Sequence, residues 1–428
     1  RPVMKTLTYS AALAAAIVLT SGIANAEVTL SVLIDNNPET VSSMEALTAA
    51  YTAANPDVTF DIEQRNGGAE GDNIVKTRLA TDEMADIFNY NSGSLFQALR
   101  PQDTLADLTG LAGQANVLDS FKQVVTAPDG TVRGVPFGPA MGGGIFYNRK
   151  IYADLGLTIP KSWDEFMANN AKIAAAGKVP VITTFGDTWT SQLFVLGDFF
   201  NVQAENPTFA ADYTANKAKY ATTPGAARGF DYLEAVFKAN YMNADFGVAK
   251  FEDGMRMVAT GEGAHYPMLT FGIGTVKQNN PDNLADLGFF AQPGPDAASN
   301  GLTVWMPAAL YLPAGGENEE EARKFLEFVA SVEGCNTMIA ASGASGPYLI
   351  KGCELPAEVP QAVKDMLPYF QTEGMTAPAL EFLSPIKGPA LEQITVEVGS
   401  GIRPAAEAAA LYDQDVEKQA KQLGLPNW

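Results

Sequence analysis

The sequence predicts an α/β chain folded as two lobes. Three observations lead there. Short apolar runs alternate with segments of helical periodicity almost to the end. The chain has 428 residues, a length at which a single core usually splits into two. A glycine-rich apolar run at 138–144 reads as a strand passing from one lobe to the other. The βαβα order near the start implies a largely parallel sheet with helices on both faces. The apolar fraction, 46%, is ordinary for a globular protein.

The elements follow in order. Met4 and Lys5, the apolar run Ala11–Leu19 and the small-x-small site Ala24-Asn25-Ala26 read as a cleaved export signal, residues 1–26. The run falls short of the ~20 residues that span a bilayer. Arg1, Pro2 and Val3 precede the expected start. No Cys follows the cleavage site, so no lipid attachment is expected. Val28–Ile34 is a strand that stops at Asp35-Asn36-Asn37-Pro38. Glu39–Ala54 carries Val41, Met44, Leu47 and Tyr51 at helical spacing. Val58–Glu63 is the next strand, Gly67-Gly68 a loop, and Asp72–Ala80 a helix. Asp86–Phe88 is a buried strand ending in the polar patch Asn89–Gly93. Ligands of such sheets bind outside the carboxyl ends of strands, which singles out Asn36, Asn37 and 89–93. Turn chemistry is the competing reading for each.

Glycines within a strand pattern mark a bend or close backbone approach, as at Val135–Asn148. No Gly-Lys-Ser/Thr follows, so this is not a phosphate loop. Ser162 and Glu165 have the spacing of a capping box, with Trp163 a structural aromatic at that helix entry. Pro180–Thr184 is a short strand leading to Asp187, Trp189 and Gln192.

Charge narrows the function. Lys plus Arg number 28 against 49 Asp plus Glu, a net charge of −21. Such a surface disfavours nucleic acid and anionic membranes. Cys335 and Cys353 are the two cysteines, and export makes a disulfide the expected pairing, worth about 3 kcal/mol on the chain-entropy model. Two Cys without His neighbours do not fill a zinc shell. His265, the sole histidine, reads as a core residue.

Seven segments in sequence order resemble the extracellular solute-binding proteins of ABC importers, in the group of maltodextrin- and raffinose-type receptors. They are Glu45–Val58, Asp86–Phe88, Gly134–Lys150, Leu155–Phe166, Phe251–Phe271, Leu287–Pro295 and Ala322–Val329. The resemblance implies a two-lobed type II periplasmic-binding-protein fold with hinge crossovers and an inter-lobe cleft. Crossings are expected near 138–143, 300–304 and 331–335. Lobe 1 would then hold 27–139 and 303–335, and lobe 2 would hold 140–302 and 336–428.

The resemblance also implies a sugar ligand. Saccharide sites pair aromatic platforms with polar groups for the hydroxyls. Trp189 is the first platform. Phe271 stands where the family often has Trp, and Tyr90 where maltodextrin receptors have another aromatic. Trp305 faces either cleft or core, and Tyr348 follows Gly346-Pro347. Asn36, Asn37, Glu39, Asn91 and Ser92 are polar candidates from one lobe, Asp187 and Gln192 from the other. The expected protein is a periplasmic monomer without cofactor or metal. It closes on its ligand and meets a membrane permease. Two rivals remain. One is the same fold holding a polyamine or other small polar solute. The other is a glycoside-active enzyme, for which no carboxylate motif and no Gly-x-Ser-x-Gly elbow stands in the sequence.

Overall fold

A computed structural model describes residues 27–428; the expected export signal lies outside the described residues. The first sheet comprises β1 (Val28–Asp35), β2 (Val58–Arg65), β3 (Ile87–Tyr90), β4 (Val135–Pro136) and β10 (Ala309–Tyr311), in the order β2-β1-β3-β10-β4. β1 runs parallel to β2 and β3, and β10 enters antiparallel between β3 and β4. The second sheet holds β5 (Met141–Asn148), β6 (Val179–Val181), β7 (Gly263–Leu269), β8 (Leu287–Ala291), β9 (Leu302–Trp305) and β11 (Thr376–Pro378). β5 is its spine: β7 lies along one side, β9 and then β8 along the other.

Side chains of β5 alternate between two cores, as a strand's period of two requires. Phe146 joins an apolar cluster that runs back through Phe137 and Ala140 to Leu30, Val32 and Phe88 of the first sheet. Ile145 and Tyr147 point the other way, into a cluster with Phe166, Tyr213, Phe230, Ile394 and Tyr412. The glycines of β5 have a steric reason: a Cβ on Gly143 would lie 2.2 Å from the Trp305 ring.

Two expected elements shift. The third strand continues through Tyr90, past the expected end at Phe88, because Asn89 and Tyr90 pair with Leu310 and Ala309. The helix expected from Asp72 begins at Gly68. Ser162 caps the helix Trp163–Ala175, accepting from the Glu165 N–H at 3.2 Å. Trp163 stacks on Tyr232 at 3.8 Å between ring centroids, which is the structural role expected of it.

The crossings also differ from expectation. The first lies at 137–140. The second lies at 306–308, not 300–304, because Met141 pairs with Trp305 and Gly142 with Val304, keeping 302–305 in the second sheet. The two crossings touch: the Phe137 N–H donates to Ala308 O at 2.9 Å. No crossing occurs at 331–335. Ser331 there caps the helix Val332–Ser342, which packs on the helix Pro38–Ala54 with Ser43 and Ser342 hydroxyls 2.6 Å apart. Leu349 and Lys351 still bond to Leu118 and Asn116 of the first lobe. The chain changes lobe after Cys353. The helix Gln361–Gln371 belongs to the second lobe, where Asp365 accepts from the Phe289 N–H at 3.0 Å. Residues 303–305 therefore move to the second lobe and 336–353 to the first. The segment 331–335, expected to be a hinge, opens a helix joined to the preceding one by a short turn within one lobe.

Cys335 and Cys353 form a disulfide. It ties the Val332–Ser342 helix to the segment preceding the third crossing. Among the described residues no helix is long and apolar enough to cross a membrane.

Candidate functional site

The first two crossings fix which edges of the sheets face each other. Pro136 ends β4 and Met141 opens β5; Trp305 ends β9 and Ala309 opens β10. The carboxyl edge of the first sheet, at Asp35, Arg65 and Tyr90, thus confronts the edge of the second sheet where β6, β7, β9 and β11 end. A ligand can lie between them.

On the second sheet this edge carries an aromatic patch. Trp189 lies 5.5 Å from Phe251 and 6.1 Å from Phe271 between ring centroids, and Phe251 lies 5.1 Å from Phe271. Trp189 and Phe251 are half-buried, and Phe271 is 38% exposed. The patch is assembled from two strand ends and a helix start. Trp189 follows β6, Phe271 follows β7, and Phe251 opens the helix Phe251–Thr260. Asp187 holds the last in place by accepting from the Phe251 N–H at 2.7 Å. Gln192 is buried and donates to Trp189 O at 3.0 Å. Beside it a cavity of about 250 Å³ is lined by Gln192, Lys387, Gly388, Pro389 and Glu392. Thus Trp189 and Phe271 come together as expected, and Asp187 and Gln192 act first on the patch's own framework.

The opposite edge is polar and largely committed. Asp35 and Asn89 clasp each other: the Asp35 N–H donates to Asn89 Oδ1 at 2.9 Å, and Asn89 Nδ2 donates to Asp35 Oδ2 at 2.8 Å. Asn37 caps the first helix, accepting from the Glu39 N–H at 2.9 Å. Asn36 reaches Asn66 at 3.3 Å. Asn36, Asn37, Glu39 and Asn91 are exposed.

Four expected contacts sit deeper than a ligand reaches. Tyr90 is 1% exposed, because its strand pairs on both sides. The Arg65 guanidinium lies 5.7 Å from its ring centroid. Burial raises the Tyr90 hydroxyl well above its ordinary value, and Asp72 adds to the shift. Burial lowers the Arg65 guanidinium, with Asp35 and Asp72 opposing. Ser92 donates to Pro307 O at 2.9 Å and braces the second crossing. Tyr348 is buried, its hydroxyl donating to Gly343 O at 3.3 Å. Trp305 is 7% exposed, so the core reading holds for its ring. The rings of Tyr90, Tyr348 and Trp305 are buried in packing that local sequence did not announce, and Ser92 is held by a carbonyl 215 residues away.

Arg65, Asp72 and Phe251 had no local signal. Phe251 stands 64 residues from the Asp187 that orients it. His265 is fully buried. Its Nδ1 faces Asn170 Oδ1 at 2.8 Å and Pro180 O at 3.0 Å, and its Nε2 faces the Tyr152 hydroxyl at 2.6 Å. Burial drops its pKa to about 3, so it is the neutral core residue expected. Among the described residues no group of three or more His, Cys, Asp or Glu is arranged to hold a metal ion. A larger open groove of about 710 Å³, lined by Ala46, Val332, Glu333 and Asn336 among others, lies between two helices of the first lobe. It is remote from both facing edges and gathers no aromatic side chain.

Residues 35–334 match the family of bacterial extracellular solute-binding proteins. The chain belongs to that family. The Multiple sugar-binding protein of Streptococcus mutans is 24% identical over 289 residues, 65% of this chain. The match spans about 66% of that relative's length. Among solved structures, a chitin oligosaccharide binding protein superposes with a TM-score of 0.73 at 20% identity, covering 93% of this chain and all of that one. The bacterial solute receptor AcbH, described as having an exclusive preference for β-D-galactopyranose, gives 0.77 at 17% identity, covering 92% and 99%. These likenesses show the two-lobed α/β fold of solute-binding receptors.

Proposed function

We propose that this family member is the ligand-capturing component of an ABC importer, taking a di- or oligosaccharide between its lobes and presenting it to a membrane permease. The observation that carries the reading is the patch of Trp189, Phe251 and Phe271 on one edge, facing a polar edge across the crossings. Aromatic faces cover the apolar side of a pyranose, and hydroxyl groups then need the polar side chains opposite. The names of the relatives, multiple sugar-binding and chitin oligosaccharide binding, support the same ligand class.

Function follows from hinge geometry. A ligand that touches both edges binds the closed arrangement better than the open one, and only that difference in affinity can drive closure. No bond is made or broken, and the protein acts without catalysis, cofactor or metal. The exported form is a periplasmic monomer released by cleavage after Ala26, without a lipid anchor. The seam between the lobes is the part the permease reads.

A thermal-shift screen of residues 27–428 tests the reading. Neutral mono-, di- and trisaccharides, polyols and polyamines are compared. A ligand at a hundred times its Kd raises stability by ~2.7 kcal/mol. A hit among the saccharides is expected. Silence across them with a polyamine hit would overturn the sugar and keep the fold. Glycoside turnover at high protein concentration would replace capture by catalysis.

A further inference from the structure

We propose that Glu381 is a ligand-binding carboxylate at one end of the cleft, held ready for saccharide hydroxyls by the indole of Trp305. The inference rests on the sugar reading above and adds a contact on the segment after β11.

Position comes first. β11 runs parallel to β9 with Pro378 opposite Val304, so the residues after Pro378 emerge at the edge that faces the first lobe. They meet it. The Ser94 hydroxyl lies 2.5 Å from Glu381 O and 2.6 Å from Ser384 O. Gly93, at φ +75°, leaves room for this approach: a Cβ there would stand 2.6 Å from the Phe382 Cα. Residues 93–94 follow β3, whose end is part of the polar edge. Glu381 therefore sits where the lobes touch, with the cleft on one side.

Orientation comes second. A carboxylate on an exposed turn is normally free to rotate. Here the Trp305 Nε1–H donates to Glu381 Oε1 at 2.8 Å. The Trp305 ring is itself fixed, buried against Gly143. The Glu381 backbone is held too, since the preceding Ala379 N–H donates to Val304 O at 2.9 Å. Glu381 remains exposed. One Oε1 lone pair is engaged, which leaves Oε2 and the other lone pair of Oε1 for new donors. A pair of sugar hydroxyls supplies two donors at that spacing, and bonds to an ionised acceptor are the strong kind. An acceptor whose rotamer is already set loses little entropy on binding.

The strand order of the second sheet puts β11 at one side and β6 with β7 at the other. Lys387 lines the cavity beside Gln192 and also a small one that includes Trp305 and Glu381. The aromatic patch and Glu381 thus bound the same edge from its two ends. Trp305, which the sequence left open between cleft and core, becomes a positioning residue that acts through its N–H.

The test uses residues 27–428 and the tightest-binding saccharide of the screen, titrated calorimetrically into wild type, Glu381→Ala, Glu381→Gln, Trp305→Phe and the double variant Trp305→Phe/Glu381→Ala. Glu381→Ala should weaken binding about 10- to 100-fold, the range of a bond to a charged group. Glu381→Gln should lose less, because the amide keeps one acceptor. Unliganded Tm should stay at the wild-type value for Glu381→Gln, whose amide oxygen still accepts from the indole. Trp305→Phe should weaken binding in the wild-type background and not in the Glu381→Ala background, a coupling that loss of packing alone does not produce. Wild-type affinity in Glu381→Ala overturns the proposal. So do equal losses from Trp305→Phe in both backgrounds. Failure of wild type to bind any saccharide overturns the sugar reading first and this contact with it.

Discussion

At the edge of the first sheet several polar side chains already have internal partners. The edge of the second sheet leaves three aromatic rings partly open. Asp35 and Asn89 bond to each other, Asn37 caps a helix, Ser92 braces a crossing, and Arg65 lies over Tyr90. Across the cleft, Trp189, Phe251 and Phe271 pack on one another, Trp189 and Phe251 also against the core, and each keeps part of its surface open. The difference teaches where a ligand gains free energy. A group already satisfied returns little when a ligand replaces its partner, whereas half-exposed aromatic surface is relieved of water by any apolar face laid on it.

The largest test of this asymmetry is Trp189→Ala. It should weaken saccharide binding about 100-fold, as loss of a buried aromatic anchor does. Tyr90→Phe on the opposite edge should leave the Kd near wild type. Equal losses from the two, read by calorimetric titration, would break the comparison.

Reduction of the Cys335–Cys353 disulfide acts on the first lobe alone. It should lower unfolding free energy by about 2–3 kcal/mol in urea titration, with ligand stoichiometry retained. Loss of the aromatic site on reduction would mean that the lobes are not independent.

Two buried groups in the second lobe oppose one another with pH. Burial raises Asp198 to about 7 from 3.8. The folded state therefore holds a proton that the unfolded state has lost, and stability falls as pH rises from 3.8 through 7. Burial lowers His265 to about 3 from 6.5. The unfolded state there takes up a proton that the folded state refuses, and stability falls as pH drops below 6.5. Each contributes a slope of about 1.4 kcal/mol per pH unit where it acts, and between pH 4 and 6.5 the two cancel. Asp198→Asn keeps the bonding shape of the neutral acid and removes one slope. Its Tm should exceed wild type at pH 7 and fall more steeply on acidification. A Tm–pH profile parallel to wild type would show that Asp198 is not protonated in the fold.

The smallest effect is expected at Asn37. Removing its cap by Asn37→Ala should cost about 1 kcal/mol of stability and leave the Kd unchanged, which denaturant and ligand titrations would separate.

Much of this was legible in the sequence. Strand and helix order follow from apolar periodicity, and the cap at Ser162 from a spacing of three residues. Trp189 and Phe271 were reachable as aromatics just past strand ends. What failed was any judgement that needed a partner distant in sequence. Tyr90 looks like a platform as an isolated aromatic, and Trp305 is open between cleft and core. They are core residues because β10 pairs with Tyr90 and Gly143 makes room for the Trp305 ring. The third crossing moved past 353 for the same reason: Ser331 reads as a boundary, and only the packing of its helix on Pro38–Ala54 keeps the chain in the first lobe.

The sequence by itself determined the alternation of strands and helices, the acidic surface, the disulfide pair and the family. These rest on residue type and local period, which fold-independent chemistry sets. Tertiary structure decided which aromatics face the cleft, that Phe251 joins Trp189 through Asp187, and that Glu381 meets the Trp305 indole. Burial and hydrogen bonding are properties of pairs, and these pairs are separated by 64 and 76 residues, a distance over which no local pattern carries information.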